Sequence, residues 1–148
     1  QVRIDEQMKE VMRKHRWRLS EREIELSYKL EEASAFVDEE LFVNVWDNLL
    51  SNAIKYTDAG GSVLIACRQH ADCIEVQFKD TGIGMAPEEV EQVFERFYRV
   101  DEARKKDGTG LGLAIVKQVV ELHDGEITLD SILEKGSTFT IVIPIERS

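Results

Sequence analysis

The chain is poor in sulfur, proline and positive charge, and it has no long apolar run. Two cysteines, Cys67 and Cys73, in 148 residues cannot form a disulfide framework, which points to a reducing compartment. No stretch approaches the roughly 20 apolar residues of a membrane-spanning helix, and the first residues have no signal-peptide pattern. A cytoplasmic domain is therefore expected. Only 19 Lys and Arg stand against 29 Asp and Glu, a formal net charge of −10. Bulk attraction to nucleic acid or to an anionic membrane is excluded, so a polyanionic ligand has to be held locally. The first residue is Gln1 rather than Met, which leads us to expect a piece of a longer protein.

What remains is ordinary for one folded domain: 43% hydrophobic and 32% charged residues, without repeats or low-complexity tracts. Ile4, Met8, Val11, Met12 and His15 fall at helical spacing, so residues 4–15 read as the tail of an amphipathic helix. The alternation Ile24, Leu26, Tyr28, Leu30 predicts a strand. Asp38 followed by Glu39 and Glu40 is a helix start, and Pro87 before Glu88 and Glu89 is another, with Val90, Val93, Phe94 and Phe97 as its apolar face. Ser62 to Cys67 and Ile74 to Lys79 read as a strand pair around the turn RQHAD. A helix rich in Ile115, Val116, Val119, Val120 and Leu122 stops near Gly125, and EITLDS with TFTIVIPI forms a closing hairpin. This order fits an α+β domain with helices on one face of a mixed or antiparallel sheet.

Three features call for chemistry. Asn44, Asn48, Asn52 and Lys55 lie three or four residues apart and form one polar stripe on a helix whose wide opposite arc is apolar. DTGIGM and GTGLGL are glycine-rich breaks able to expose backbone N–H groups to an anion. The second lacks the spacing of a P-loop and of the dinucleotide-binding fingerprint. Asp80 ends a strand just before Gly82 and Gly84; alone it suits a turn, and it also suits an acceptor for an exocyclic amine such as adenine N6. A fourth pattern, Cys67, His70 and Cys73, has soft ligands close together but no fourth ligand, so it is a weak zinc candidate.

In order, NLLSNAIKYT, DTGIGM, VFERFYR, GTGLGLAIVKQVVELHDGEI and KGSTFTIVIP resemble the N, G1, F and G2 boxes and terminal hairpin of the ATP-binding catalytic domain of sensor histidine kinases. The resemblance spans about Trp17 to Ile145, and the joint pattern is specific. It implies the GHKL (Bergerat) fold, a two-layer α/β sandwich of about five strands in a mixed sheet with three main helices on one face and a mobile ATP lid. It also implies a division into residues 1–16, the end of an upstream dimerisation helix or linker, and residues 17–148, the catalytic domain.

Carried over by position, the resemblance makes Asn52 the Mg²⁺ ligand, with Asn48 one turn earlier, and Asp80 the partner of the adenine amine of ATP. Lys55 would face the terminal phosphates and Tyr56 the phosphate or ribose. Thr138 would bond near Asp80 through water. Gly82 and Gly84 would let the chain pass close to the base. Phe94 and Phe97 match the box that anchors the lid, though both also suit a plain core face. Arg99 would neutralise phosphate charge, although it and Arg96, Lys105 and Lys106 also suit a solvated surface. Gly108, Thr109, Gly110, Leu111 and Gly112 would form the lid hinge and phosphate-facing amides.

In gyrase-type relatives the position of Asn48 is a glutamate that activates water, a task an amide cannot perform. The resemblance therefore implies phosphoryl transfer to a histidine rather than hydrolysis. His15, in RKHRWRLS, lacks the context of a phospho-acceptor and is expected to be an ordinary helix-end residue, while at His123 one of the family's adjacent glycines is replaced by Asp124. The implied partners are the protein's own dimerisation and histidine-phosphotransfer domain and, indirectly, a response regulator, with no nucleic acid. The isolated domain would be a monomer and the full-length protein a homodimer, open to anchoring in the cell membrane. Two other classes stay open: a GHKL ATPase or serine-directed kinase, for which only Asp47 offers a base, about 100° off the asparagine stripe, and a module that keeps the fold and only binds a partner.

Overall fold

The computed structural model describes residues 1–84, Phe94 and residues 112–145. Strand β1 (Val2–Arg3) leads into helix α1 (Ile4–Glu21), followed by β2 (Glu25–Leu30), β3 (Ser34–Ala35), α2 (Glu39–Tyr56), β4 (Ser62–Gln69), β5 (Cys73–Asp80), α3 (Gly112–Leu122), β6 (Glu126–Ile132) and β7 (Gly136–Pro144). β1 pairs with β3. The other five strands form one sheet in the order β2-β4-β5-β7-β6, with β2 parallel to β4 and every other pair antiparallel.

One face of that sheet is the core. The pleat turns every second residue inward, and Val63, Ile65 and Cys67 of β4, Ile74, Val76 and Phe78 of β5, and Phe139, Ile141 and Ile143 of β7 are all buried. Against them lie Phe42, Trp46, Leu49, Leu50 and Ile54 of α2 and Val116, Val119 and Val120 of α3. Each such side chain contributes about 1.5–3 kcal/mol on burial, so the apolar stripes of the helices fix their seating on the sheet. Asp38 caps α2, its side chain accepting the N–H of Leu41 at 3.0 Å, so this helix starts where the sequence places it. The β4–β5 and β6–β7 hairpins likewise form as expected.

Helix α1 differs from the sequence reading in extent. It continues to Glu21, through the boundary placed between residues 16 and 17, and its buried Ile4, Met8, Val11, Met12 and Leu19 belong to the same core. His15 is not at a helix end but inside this helix, only 6% exposed. α1 also buries polar groups that composition cannot distinguish from surface. Gln7 accepts the indole N–H of Trp46 at 2.8 Å and donates to the Glu39 carbonyl at 3.1 Å. The helix expected from Pro87 lies outside the described residues apart from Phe94, whose ring meets Phe139 edge-on at 6.1 Å with the Lys117 ammonium 5.6 Å from it.

At the end of α3 the chain reverses on Asp124, which takes the left-handed φ of 62°. Gly125 N–H then returns to the Val120 carbonyl at 2.9 Å. His123 is buried there: its Nδ1 bonds the Val119 carbonyl at 2.8 Å, which fixes Nδ1 as the protonated nitrogen, and its Nε2 accepts the Asp38 N–H at 3.1 Å. The C-terminus of α3 is thus tied to the start of α2.

Candidate nucleotide-binding site

The site is assembled at the C-terminal ends of β5 and α2. Asp80, the last residue of β5, is 7% exposed. Its Oδ1 accepts the N–H of Gly82 at 2.9 Å and of Ser137 at 3.3 Å. Both bonds fall on one oxygen, which leaves Oδ2 to accept from a ligand. Burial pushes this carboxyl above the ordinary carboxylate range, and the two backbone N–H groups only partly oppose that.

The segment after Asp80 is pressed between two elements. Ile83 donates its N–H to the carbonyl of Tyr56, the last residue of α2, at 3.1 Å, and accepts the Glu134 N–H at 2.5 Å from the β6–β7 turn. A Cβ at Gly82 would collide with the Tyr56 carbonyl. Gly84, at φ 66°, has the Ile132 carbonyl where its Cβ would be. Glycine is required at both positions because backbone occupies the side-chain space.

Along α2, Asn48 and Asn52 are half-buried and Asn44 is exposed. The Asn48 amide donates to the Asn44 carbonyl at 2.9 Å, and its Oδ1 lies 3.3 Å from where a Cβ on Gly112 would sit. The stripe therefore runs beside the first residue of α3. Lys55 and Tyr56 end the helix, with the Lys55 ammonium 5.9 Å from the Tyr56 ring.

These placements bring Asn48, Asn52, Lys55, Tyr56, Asp80, Gly82, Gly84 and Gly112 onto α2, the β5 exit and the start of α3. Thr138 falls elsewhere. It pairs with Lys79, on the opposite face of β7 from Asp80, whereas Ser137 pairs with Asp80 directly. The neighbours that sequence reasoning missed are Ser137 and Gly136, whose Cβ would strike the Asp80 carbonyl. The period of two from the paired strands is the signal that identifies them. Arg99, Gly108, Thr109, Gly110 and Leu111 lie outside the described residues, as does Phe97.

Residues 37–147 match the family described as histidine kinase-, DNA gyrase B-, and HSP90-like ATPase. The chain belongs to this family. Over 116 residues it is 47% identical to the sensor histidine kinase RppB of Synechocystis, covering 77% of this chain and 26% of that protein. The solved structure of the mycobacterial sensor histidine kinase MprB is 33% identical with a TM-score of 0.89 and coverage of 99% of both chains. Full-length ShkA, solved in complex with AMPPNP, is 28% identical with a TM-score of 0.83, covering 99% of this chain and 31% of that one. The chain thus spans between 19% and 28% of the length of curated relatives such as these.

As an ATPase domain of the sensor histidine kinase type, the chain binds ATP, and the local chemistry fits that ligand. A carboxylate with one uncommitted oxygen stands at one end and an asparagine and lysine stripe at the other. Asp47, the side chain flanking that stripe, is already engaged: His15 Nε2 lies 2.6 Å and Lys14 Nζ 3.6 Å from its Oδ1. Cys67 and Cys73 do not converge. Cys67 faces the core opposite Val76, and Cys73, three residues from Val76 on β5, points to the other face. No helix among the described residues is long and apolar enough to cross a membrane.

Proposed function

We propose that this chain binds Mg·ATP and transfers the γ-phosphate to a histidine on the dimerisation domain of the same protein, from which it passes to a response regulator. Asp80 and the glycines around it hold the adenine, and Asn52 holds Mg²⁺, a hard cation suited to an amide oxygen. When bound, that ion supplies charge neutralisation at the phosphates. Lys55 adds a positive charge at the terminal phosphates, and Tyr56 lies against the ribose or phosphates. Arg99, Gly108, Thr109, Gly110, Leu111 and Gly112 complete the phosphate side. In the transfer the bond from the γ-phosphorus to the bridging oxygen of ADP breaks as a bond to an imidazole nitrogen forms. A neutral imidazole needs no activation by a base, so positioning and charge are the domain's contribution. The whole protein works as a homodimer, and this domain lies on the cytoplasmic side of the membrane in any anchored form.

The observation that carries this reading is Asp80: a buried carboxylate at a strand end, with one oxygen fixed by two backbone N–H groups and glycine where a side chain would block approach. The position of Asp47 supports transfer over hydrolysis. Its carboxylate is spent on His15 and Lys14 and does not stand on the stripe, while Asn48, which does, cannot act as a base.

Calorimetric titration of ATP, with and without Mg²⁺, into the wild type tests the binding step. Magnesium-enhanced affinity, followed by phosphate transfer to an added dimerisation domain without release of phosphate to water, is the expected result. Rapid turnover of ATP to ADP by the pure domain would overturn the kinase reading. Absence of ATP binding would mean that the fold has been kept as a binding module.

A further inference from the structure

Helices α1 and α2 are joined by two sets of polar contacts: Gln7 holds Trp46 and the Glu39 carbonyl near the start of α2, and the contacts from the second half of α1 land beside the proposed nucleotide residues. His15 is buried, with its Nδ1 3.2 Å from Arg18 Nη1 and its Nε2 2.6 Å from Asp47 Oδ1. A guanidinium only donates, so Nδ1 is the acceptor and Nε2 carries the hydrogen given to Asp47. Arg18 Nη1 also donates to Ser51 Oγ at 3.2 Å, and Arg22 donates to the Thr57 carbonyl at 3.1 Å. Asp47 and Ser51 are the residues immediately before Asn48 and Asn52, and Thr57 follows Lys55 and Tyr56.

The apolar stripe sets which face of α2 meets the sheet, but apolar contact is non-directional and leaves the finer rotation about the helix axis less sharply defined. Hydrogen bonds of fixed length at Asp47, Ser51 and Thr57 resist it strongly, because a turn of α2 would break all of them together. Asn48 and Asn52 lie about 100° round the helix from the clamped pair, so whatever sets the azimuth of Asp47 and Ser51 sets theirs. Asp80 stands on β5 and makes none of these contacts; its carboxylate is held by the Gly82 and Ser137 N–H groups, and the segment after it meets α2 through the Ile83 N–H on the Tyr56 carbonyl.

We propose that His15 and Arg18 are positioning residues of the nucleotide site: they fix the rotation of α2 and thereby aim Asn48 and Asn52 at the metal and phosphates. This rests on the reading of the asparagines given under Proposed function. The carboxylate at the adenine end is held by the Gly82 and Ser137 N–H groups, not by His15 or Arg18.

The test uses His15→Leu, which keeps bulk and removes both hydrogen bonds, His15→Gln, which restores a donor to Asp47, and Arg18→Met as a second break. The first readout needs no nucleotide: the side-chain amide resonances of Asn48 and Asn52 by NMR. They are expected to shift in His15→Leu and Arg18→Met and to return toward wild type in His15→Gln, with β4 and β5 unmoved. The second is calorimetry, in which the magnesium-dependent gain in ATP affinity falls about tenfold in the two broken variants, as for loss of a supporting shell around a metal ligand, while affinity without Mg²⁺ is unchanged. Unmoved asparagine resonances in a folded variant overturn the proposal whatever the nucleotide does. Shifted resonances with the full magnesium gain retained also overturn it. A wild type that binds no Mg·ATP, with the resonances still shifting, would refute the nucleotide reading and leave the α1–α2 clamp standing.

Discussion

Asp80 and Ser137 face each other across β5 and β7, and the Ser137 N–H reaches Asp80 Oδ1 at 3.3 Å, next to the Gly82 N–H at 2.9 Å. The carboxylate is thus aimed by backbone on both sides and buried at the same time. Burial raises its pKa above the unfolded value of 3.8. For an acid shifted upward, the added stability is present below the unfolded pKa and is lost as pH rises through the folded one. At neutral pH the ionised group is therefore held at a cost.

Asp80→Asn removes that cost and leaves an amide oxygen for the two N–H groups. Its unfolding free energy at pH 7 should rise by about 1 kcal/mol, an advantage that fades as the solution is acidified toward pH 4. ATP affinity should fall by about 2 kcal/mol, roughly 30-fold, since the amide presents a donor to the adenine amine where an acceptor is needed. Thermal melts across pH and calorimetry on one preparation check both signs. A variant that loses stability and affinity together would show that Asp80 acts by holding the fold.

Asp124 should be exchangeable for glycine with a gain. It occupies a left-handed φ of 62° just past α3, a conformation in which the Cβ of an L-residue crowds the carbonyl. Asp124→Gly is expected to raise the unfolding free energy by about 1 kcal/mol, read as a higher denaturation midpoint with an unchanged slope. A lower midpoint would mean that the interactions of the Asp124 side chain outweigh the backbone strain.

The two cysteines should react differently in the native protein. Cys67 is fully buried in β4, and burial pushes its thiol up to about 12, while Cys73 is only half-buried, its thiol raised by burial and by the neighbouring Asp72. The thiolate is the reactive form, so iodoacetamide at pH 8 should label Cys73 and leave Cys67 intact until denaturant is added. Peptide mass spectrometry reads the two sites separately. Added Zn²⁺ should not protect either, because the pleat sends them to opposite faces of the sheet. Labelling of both at equal rates would show that β4 opens in the native state.

How far the sequence could be read depended on whether a feature is periodic. The strands β4, β5 and β7 were legible because Val63, Ile65 and Cys67, or Phe139, Ile141 and Ile143, alternate along a sheet with one buried face. The start of α2 was legible because Asp38 is a side-chain cap. The second half of α1 was not: Arg13, Lys14, Arg16 and Arg18 hide the single buried Leu19; His15 falls on the apolar face by spacing but reads as a helix end, and Gln7 looks like surface until its partner Trp46 is known. In the site, the motif pointed to the right hairpin, yet only the pairing register shows Ser137 rather than Thr138 beside Asp80. Contacts between segments distant in sequence, such as Gly84 against the Ile132 carbonyl, leave no local pattern beyond the glycine itself.

The hydroxyl of Thr57 is the last departure from ordinary packing, and it yields a test of its own. Thr57 caps the C-terminus of α2 and is fully buried, and among the described residues its Oγ1 has no hydrogen-bond partner. A buried hydroxyl without a partner costs about 1–3 kcal/mol relative to an apolar group of the same shape. Valine is that shape, and its β-branch suits the extended conformation found at this position, with φ −106° and ψ 129°. The backbone bonds of the cap, from Thr57 N–H to the Ile54 carbonyl at 3.5 Å and from Arg22 to the Thr57 carbonyl at 3.1 Å, do not involve the side chain and would persist. Thr57→Val should therefore stabilise the domain by about 1 kcal/mol, raising the melting temperature by about 2–4 °C for a chain of this size. A destabilised Thr57→Val would instead show that the hydroxyl is bonded in solution, through a bridging water at the turn where Gly61 and Thr81 approach.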